Sequence, residues 1–254
     1  MVEIKTPSEI AAMRETGRIV ARALSATRKA AAPGTKLTDL DDIAAAVIAE
    51  AGARPAFLGY RPAFAPTPFP AVICASVNDV IVHGIPTGYR LRAGDVVSID
   101  CGAYLDGWAG DAAVTFTVGP PAPADRALIA ATEQALAAGI AAARPGNRIG
   151  DIGHAIAVVA ARHGYGVPGD FGGHGIGRHM HEDPSVPNRA RAGRGLLLRE
   201  GMALAIEPMF IAGGGDDYRV AADGWSLRSV DGSRAAHAEH SVAIADPPLV
   251  LTAL

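Results

Sequence analysis

An internal repeat constrains this 254-residue chain more than any other feature of its sequence. Residues 33–52 match residues 145–164 at a constant offset of 112 positions, and both copies begin with Pro-Gly and end with glycine. A His-Gly-Ile motif also occurs in each half, at His83 and His174, with a different offset because a proline-rich loop lengthens the first half. A long repeat at a fixed offset indicates that one structural unit has been duplicated.

The duplication predicts an α+β fold built from two related halves. Each half offers two helices followed by strands, and we assign about residues 6–118 to the first half and 124–244 to the second. No linker-like segment divides them, so we expect one domain over residues 1–254. We expect a pseudo-two-fold relation between the halves around a central antiparallel sheet, with a functional site between them.

Apolar periodicity predicts four helices. The first starts at the capping box of residues 6–9, with proline at its first position, and continues towards Pro33-Gly34. The second is expected from about Asp39 to Ala51, with Thr38 as its N-cap and a glycine as its stop. The last two helices span about residues 124–143 and 149–163.

Strand patterns fill most of the remaining chain. Five prolines in residues 53–70 predict a surface loop without regular structure that helps to wall a pocket. Strands are predicted at residues 71–76, at 80–83, in a hairpin over 96–116 that turns at Asp106-Gly107, at 202–212, at 225–228 and at 239–244.

Composition and charge exclude several classes of protein. A hydrophobic fraction of 49% is enough for a sizeable core, while a net charge of −3 with scattered basic residues gives no nucleic-acid footprint. Neither an export signal nor an apolar run of membrane-spanning length is recognisable, so we expect a cytoplasmic protein. Cys74 and Cys101 lie in apolar strand patterns and are expected to be reduced core thiols.

Ionisable side chains within or beside apolar strands are the candidates for chemistry. They are His83, Asp100, Asp111, His174, His181, Glu207 and Glu239. Buried carboxylates are costly without a cation or hydrogen-bond donors, and an oxygen-rich set with imidazole and no thiolate favours Mn²⁺, Fe²⁺ or Co²⁺, with Zn²⁺ also compatible. Four carboxylates would be balanced by two divalent ions, which can together activate a water nucleophile. We interpret the histidines at positions 154, 163, 237 and 240 as surface or structural residues.

The motifs IDCGAYLDGWAGD, GHGIGRHMHEDP, AIEPMF and AEHSVAI occur in this order and resemble the type I methionine aminopeptidases, which have the pita-bread fold. The resemblance covers nearly the whole chain. It implies five metal ligands, at Asp100, Asp111, His174, Glu207 and Glu239. It also implies that His83 contacts the scissile-bond nitrogen, that His181 contacts the substrate carbonyl oxygen and that Glu207 is a proton shuttle as well as a ligand.

The same resemblance implies a pocket for the methionine side chain, drawn from Tyr60, Phe69, Cys74, Met180 and Trp225. Three features of the pocket region depart from the usual family pattern: the longer loop at residues 61–68, methionine at position 180 and phenylalanine at position 69. The assignment of position 181 rather than 179 as the substrate-contacting histidine rests on its spacing from the histidine at position 174.

The resemblance implies a metal-dependent enzyme that removes the initiator methionine from nascent proteins and peptides, with preference for a small second residue. We expect a monomer, and binding to the ribosome stays open. One alternative is an X-Pro dipeptidase or aminopeptidase P-like hydrolase of the same fold, although those relatives normally carry an extra amino-terminal domain. Another is a non-catalytic binding protein, which loss of a ligand would mark, and the sequence retains all five.

Overall fold

The computed structural model describes residues 2–63 and 65–254, so Met1 and Phe64, which belongs to the loop at 61–68, lie outside the described residues. The helices are α1 (Pro7–Ala30), α2 (Leu37–Glu50), α3 (Pro123–Ala142) and α4 (Ile149–His163). The strands are β1 (Arg54–Pro55), β2 (Ile73–Val77), β3 (Val80–Val82), β4 (Val96–Leu105), β5 (Trp108–Thr117), β6 (Gly172–Gly175), β7 (Glu182–Pro187), β8 (Ala203–Ile206), β9 (Met209–Ile211), β10 (Tyr218–Val220), β11 (Leu227–Ser229), β12 (Ala235–His237), β13 (Glu239–Ala243) and β14 (Leu249–Val250). The α+β prediction is confirmed.

Local capping explains where the helices begin. The Thr6 amide donates to the Glu9 carboxylate at 2.8 Å, which confirms the predicted capping box of α1. Helix α2 begins earlier than predicted and has Lys36, not Thr38, at its N-cap. The Lys36 amide donates a hydrogen bond to the Asp39 carboxylate at 3.0 Å. A free amide at the start of the helix is therefore satisfied by a carboxylate inside the first turn, whereas the prediction assigned capping to the Thr38 hydroxyl.

The two copies of the sequence repeat start their second helices with the same bond. In α4 the Asp151 carboxylate accepts the Arg148 amide at 2.7 Å, as Asp39 accepts Lys36 in α2. Arg148 lies 112 positions after Lys36, and Asp151 lies 112 positions after Asp39, which is the offset of the repeat. The repeat therefore preserves the chemistry of the helix cap, not only the apolar pattern.

A nine-stranded antiparallel sheet joins the halves, in the order β1-β4-β5-β13-β8-β6-β7, with β2 on β4 and β14 on β13. Helices α1 and α2 bury Leu24 and Leu40 in one cluster with Ile99 of β4. Helices α3 and α4 bury Leu128 and Ile156 in a second cluster with strand β8. Each helix pair thus covers the strands of one half, and the halves meet where β5 pairs with β13.

Helix α1 approaches β5 through glycine. A Cβ atom placed on Gly110 would lie 3.0 Å from the backbone nitrogen of Gly17, and one placed on Gly17 would lie 2.3 Å from the carbonyl oxygen of Leu251. Cβ atoms essentially never come as close to backbone as 2.3 Å and rarely as close as 3.0 Å, so the close packing of α1 on β5 and on Leu251 favours residues without side chains here.

The structure corrects two strand predictions. The run at 202–212 is divided into β8 and β9 by Glu207-Pro208, because proline lacks the N–H that would continue the ladder. The proline-rich loop is not wholly irregular, since β1 pairs with Tyr104 and Ala103 of β4. Within residues 2–63 and 65–254, no helix has the length and apolarity needed to cross a membrane.

Candidate metal centre

Strand register brings four carboxylates to one place. In the β4–β5 hairpin, Asp100 lies opposite Ala113 and Asp111 lies opposite Gly102, so the two aspartates share one face of the sheet as diagonal neighbours. Glu239, the first residue of β13, also lies opposite Ala113. Glu207 follows directly after the adjacent strand, β8.

The imidazole of His174 completes the group. His174 lies opposite Ala205 of β8, and its Nε2 is 3.6 Å from Glu207 Oε1 and 3.9 Å from Asp111 Oδ2. Its other ring nitrogen, Nδ1, lies 2.8 Å from the carbonyl oxygen of Gly175, which leaves Nε2 directed at the carboxylates. Asp111, His174 and Glu239 offer ligand atoms that all lie within 4.8 Å of one another.

Unpaired oxygens show that these residues fit a metal. Asp100 Oδ1, Asp111 Oδ1 and Glu239 Oε1 are buried and have no hydrogen-bond partner among the described residues. Buried polar atoms are normally paired, so three orphaned oxygens in one cluster indicate a cation. The separations around His174 are too long for hydrogen bonds, but they suit atoms that share an ion through bonds of about 2 Å.

The pKa values of the clustered carboxyl groups also indicate a cation site. Burial raises the pKa of Asp100 to about 7 and the pKa of Glu207 to about 8. Burial, with repulsion between the neighbouring carboxylates, raises the pKa of Asp111 and Glu239 well above their usual values. Divalent cations would reverse these shifts, because they favour the ionised carboxylates.

Two histidines lie beside this cluster. His83 follows β3 with a positive φ of 59°, and its buried Nδ1 has no hydrogen-bond partner in the described part of the chain. Burial, and then His237 and His181, lowers the pKa of His83 to about 4. The His181 ring stacks on Tyr60 with centroids 5.2 Å apart and lies 4.3 Å from the ring of His174. Both imidazoles line the same cavity as the carboxylates.

A cavity of about 720 Å³ opens over these residues. All the predicted ligands line it, and so do Tyr60, Phe69, Cys74 and Trp225 of the predicted methionine pocket. The structure does not bring Met180 to the wall: it is 3% exposed, with its Cε next to Gly102 of β4. Phe57 and Phe171 line the cavity although the sequence analysis does not name them.

His237 is a buried residue beside the cluster. Of the two roles predicted for it, surface or structural, the structure excludes the first, because it is 2% exposed, and its Nε2 lies 3.5 Å from Glu207 Oε2. A usable indication exists in the motif AHAEH, because His237 stands two positions before Glu239 and residues two apart in an extended chain share a face. This spacing places His237 on the same side of the chain as a predicted ligand.

The other histidines lie outside the cluster. His154, His163 and His179 are exposed, and His240 bonds through Nδ1 to the Thr252 hydroxyl at 2.8 Å. The two cysteines are buried free thiols, as predicted.

Comparisons with known proteins agree over the full length. The sequence model described as metallopeptidase family M24 matches residues 11–246. The chain is 51% identical over 260 residues to methionine aminopeptidase 1 of Mycobacterium tuberculosis, covering 99% of this chain and 95% of that protein. It is 42% identical over 257 residues to the methionine aminopeptidase of Aquifex aeolicus, covering 100% of this chain and 99% of the relative.

Solved structures give the same result. The crystal structure of the Thermotoga maritima methionine aminopeptidase superposes with a TM-score of 0.95 at 40% identity, covering 100% of both chains. The prolidase from Pyrococcus furiosus superposes with a TM-score of 0.77 at 22% identity, covering 99% of this chain and 65% of that one. The second likeness concerns the fold alone.

Proposed function

The chain belongs to metallopeptidase family M24, and from this membership we propose which of its residues perform the reaction. The fold is the pita-bread fold, and the protein is a metal-dependent hydrolase with the activity of a methionine aminopeptidase. We propose that it acts as a cytoplasmic monomer on the initiator methionine of nascent proteins and on free peptides. A preference for a small second residue is proposed from the family resemblance.

The proposed metal centre holds two divalent ions. Its ligand chemistry favours Mn²⁺, Fe²⁺ or Co²⁺ and is also compatible with Zn²⁺. The proposed ligands are Asp100, Asp111, His174, Glu207 and Glu239. The observation that carries the assignment is the group of orphaned carboxylate oxygens beneath the cavity. When bound, two such ions supply a polarised carbonyl and an activated water.

Glu207 moves the proton in the proposed reaction. It lies at the end of β8, buried beside His174 and His237, with its oxygens 3.6 Å and 3.5 Å from those two rings. Its carboxylate takes the proton of the attacking water and passes it to the amine nitrogen that leaves.

His83 and His181 orient the substrate. Burial lowers the pKa of His83 to about 4, and desolvation also lowers the pKa of His181, although that residue is partly open to solvent in the cavity. A neutral imidazole can donate one N–H to the substrate without bringing a charge into the cavity. We propose that His83 contacts the scissile-bond nitrogen and that His181 contacts the carbonyl oxygen. Donors fixed in place before the reaction stabilise the charge that develops on that oxygen.

The methionine side chain is proposed to lie against the apolar wall. Phe69 and Trp225 form an edge-to-face pair with ring centroids 5.0 Å apart. The indole N–H of Trp225 donates a hydrogen bond to the Thr67 carbonyl at 3.1 Å. Tyr60 and Cys74 complete this wall. Aromatic edges and a sulfur atom suit a thioether, since sulfur packs favourably against rings.

Release of free methionine from a Met-Ala-Ser peptide tests the proposal. Protein stripped of metal should be inactive, and Mn²⁺ or Co²⁺ should restore release, while a Leu-Pro peptide stays intact. Cleavage of the Leu-Pro peptide alone would instead indicate an X-Pro hydrolase. Metal binding without cleavage of either peptide would overturn the assignment in favour of a binding protein.

A further inference from the structure

His237 has the surroundings of a metal ligand, although neither the motifs nor the proposed centre use it. Its ring is 2% exposed, and its Nε2 is buried with no hydrogen-bond partner among residues 2–63 and 65–254. That atom lies 3.5 Å from Glu207 Oε2 and 3.8 Å from Glu239 Oε2. Hydrogen bonds between nitrogen and oxygen are normally about 2.7–3.2 Å long, so this nitrogen is close to two carboxylates but bonded to neither.

The same separations surround His174. Its Nε2 lies 3.6 Å from Glu207 Oε1 and 3.9 Å from Asp111 Oδ2. Glu207 therefore faces one imidazole with each of its two oxygens. Glu207, His237 and Glu239 also form a group in which the ligand atoms lie within 4.8 Å of one another, just as Asp111, His174 and Glu239 do.

The backbone fixes His237 in this position. Its amide donates to the Thr115 hydroxyl at 3.0 Å, and its carbonyl accepts from the same hydroxyl at 2.6 Å. Its residue pairs with Met209 across the β12–β9 ladder. A ring attached to a backbone held from both sides is preorganised, which is what a metal site requires of its ligands.

Building on the proposed function, we propose that His237 is a sixth metal ligand, which binds one of the two ions through Nε2 together with Glu207 and Glu239. Each ion then takes one imidazole, from His174 or from His237. A neutral imidazole adds a donor without adding charge, so four carboxylates still balance two divalent ions. More nitrogen in the site favours Co²⁺ and Zn²⁺ over Mn²⁺.

Proton NMR of the Co²⁺-loaded protein tests the number of bound imidazoles. An imidazole bound to this paramagnetic ion gives a strongly shifted ring N–H signal, so the wild type should show two. His237→Gln should show one, and should bind one of its two Co²⁺ ions more weakly by about 10-fold or more in calorimetry. The matched control is His240→Gln, which changes a histidine of the same segment outside the cluster and should keep both signals and both affinities.

The histidine variants separate this inference from the proposed function. A single imidazole signal in the wild type, unchanged in His237→Gln and absent in His174→Gln, would overturn the role of His237 and leave the centre of five ligands standing. No shifted imidazole signal in Co²⁺-saturated protein would overturn both. Circular dichroism shows whether His237→Gln is folded. If the variant is unfolded, the number of shifted imidazole signals in the wild type, two or one, still decides whether His237 binds the metal.

Discussion

Removing the metal should make the stability of this protein fall as the pH rises from about 7 to 8. In the metal-free fold the pKa of Asp100 is about 7 and that of Glu207 about 8, against ordinary values of 3.8 for aspartate and 4.5 for glutamate. The folded chain therefore holds protons on these carboxyls that the unfolded chain has lost. A group whose pKa is higher in the folded state stabilises at low pH, and that contribution is lost as the pH rises through the folded value.

The magnitude follows from the number of protons. Near pH 7.5, Asp100 and Glu207 together hold about one proton more in the folded chain than in the unfolded chain, which gives about 1 kcal/mol per pH unit. Asp111 and Glu239, whose pKa values are also raised, add to this slope. The buried histidines act in the opposite direction, because their pKa values are lowered, but mainly below the ordinary histidine value of 6.5.

Urea denaturation at pH 7 and pH 8, followed by circular dichroism, measures this effect in chelator-treated protein. Glu207→Gln, which cannot titrate at that position, should have a smaller slope. Protein saturated with Mn²⁺ should not lose stability over the same range, because the ions bind the ionised carboxylates more tightly as the pH rises. Metal-free protein that is equally stable or more stable at pH 8 would refute the reasoning.

Three substitutions test other parts of the structure. Asp111→Asn should lose metal and activity, and a variant that kept both ions and turned over normally would contradict the two-metal centre. His83→Ala should keep its metal, by elemental analysis, and lose rate by about 10² or more, whereas a normal kcat would remove His83 from the reaction. Gly17→Ala should lower the free energy of unfolding by about 1–3 kcal/mol and lower Tm, because the Cβ of the new alanine would lie 2.3 Å from the carbonyl oxygen of Leu251. An unchanged Tm would mean that α1 can shift without a loss of stability.

Several elements could be predicted from the sequence because their causes are local. The capping box at Thr6 marks the start of α1, and the Asp106-Gly107 turn, with φ values of 49° and 78°, marks the tip of the β4–β5 hairpin. The two apolar runs and this turn were enough to place Asp100 and Asp111 on neighbouring strands. The predicted N-cap of α2 was wrong. Thr38 and Asp39 can each accept a hydrogen bond from a free amide at the start of the helix, and the sequence does not show which of them does so.

The chain by itself determined which side chains are available for chemistry, since carboxylates and histidines in apolar strands are visible as a pattern. Only the tertiary structure decided which of them meet. Glu207 and Glu239 are joined through the pairing of β8 with β13. His237 enters the cluster from β12, which pairs with β9 in a separate two-stranded sheet. It also decided that Met180 lies behind the cavity wall, against Gly102. Contacts between residues far apart in the chain depend on strand pairing and packing, which no local preference specifies.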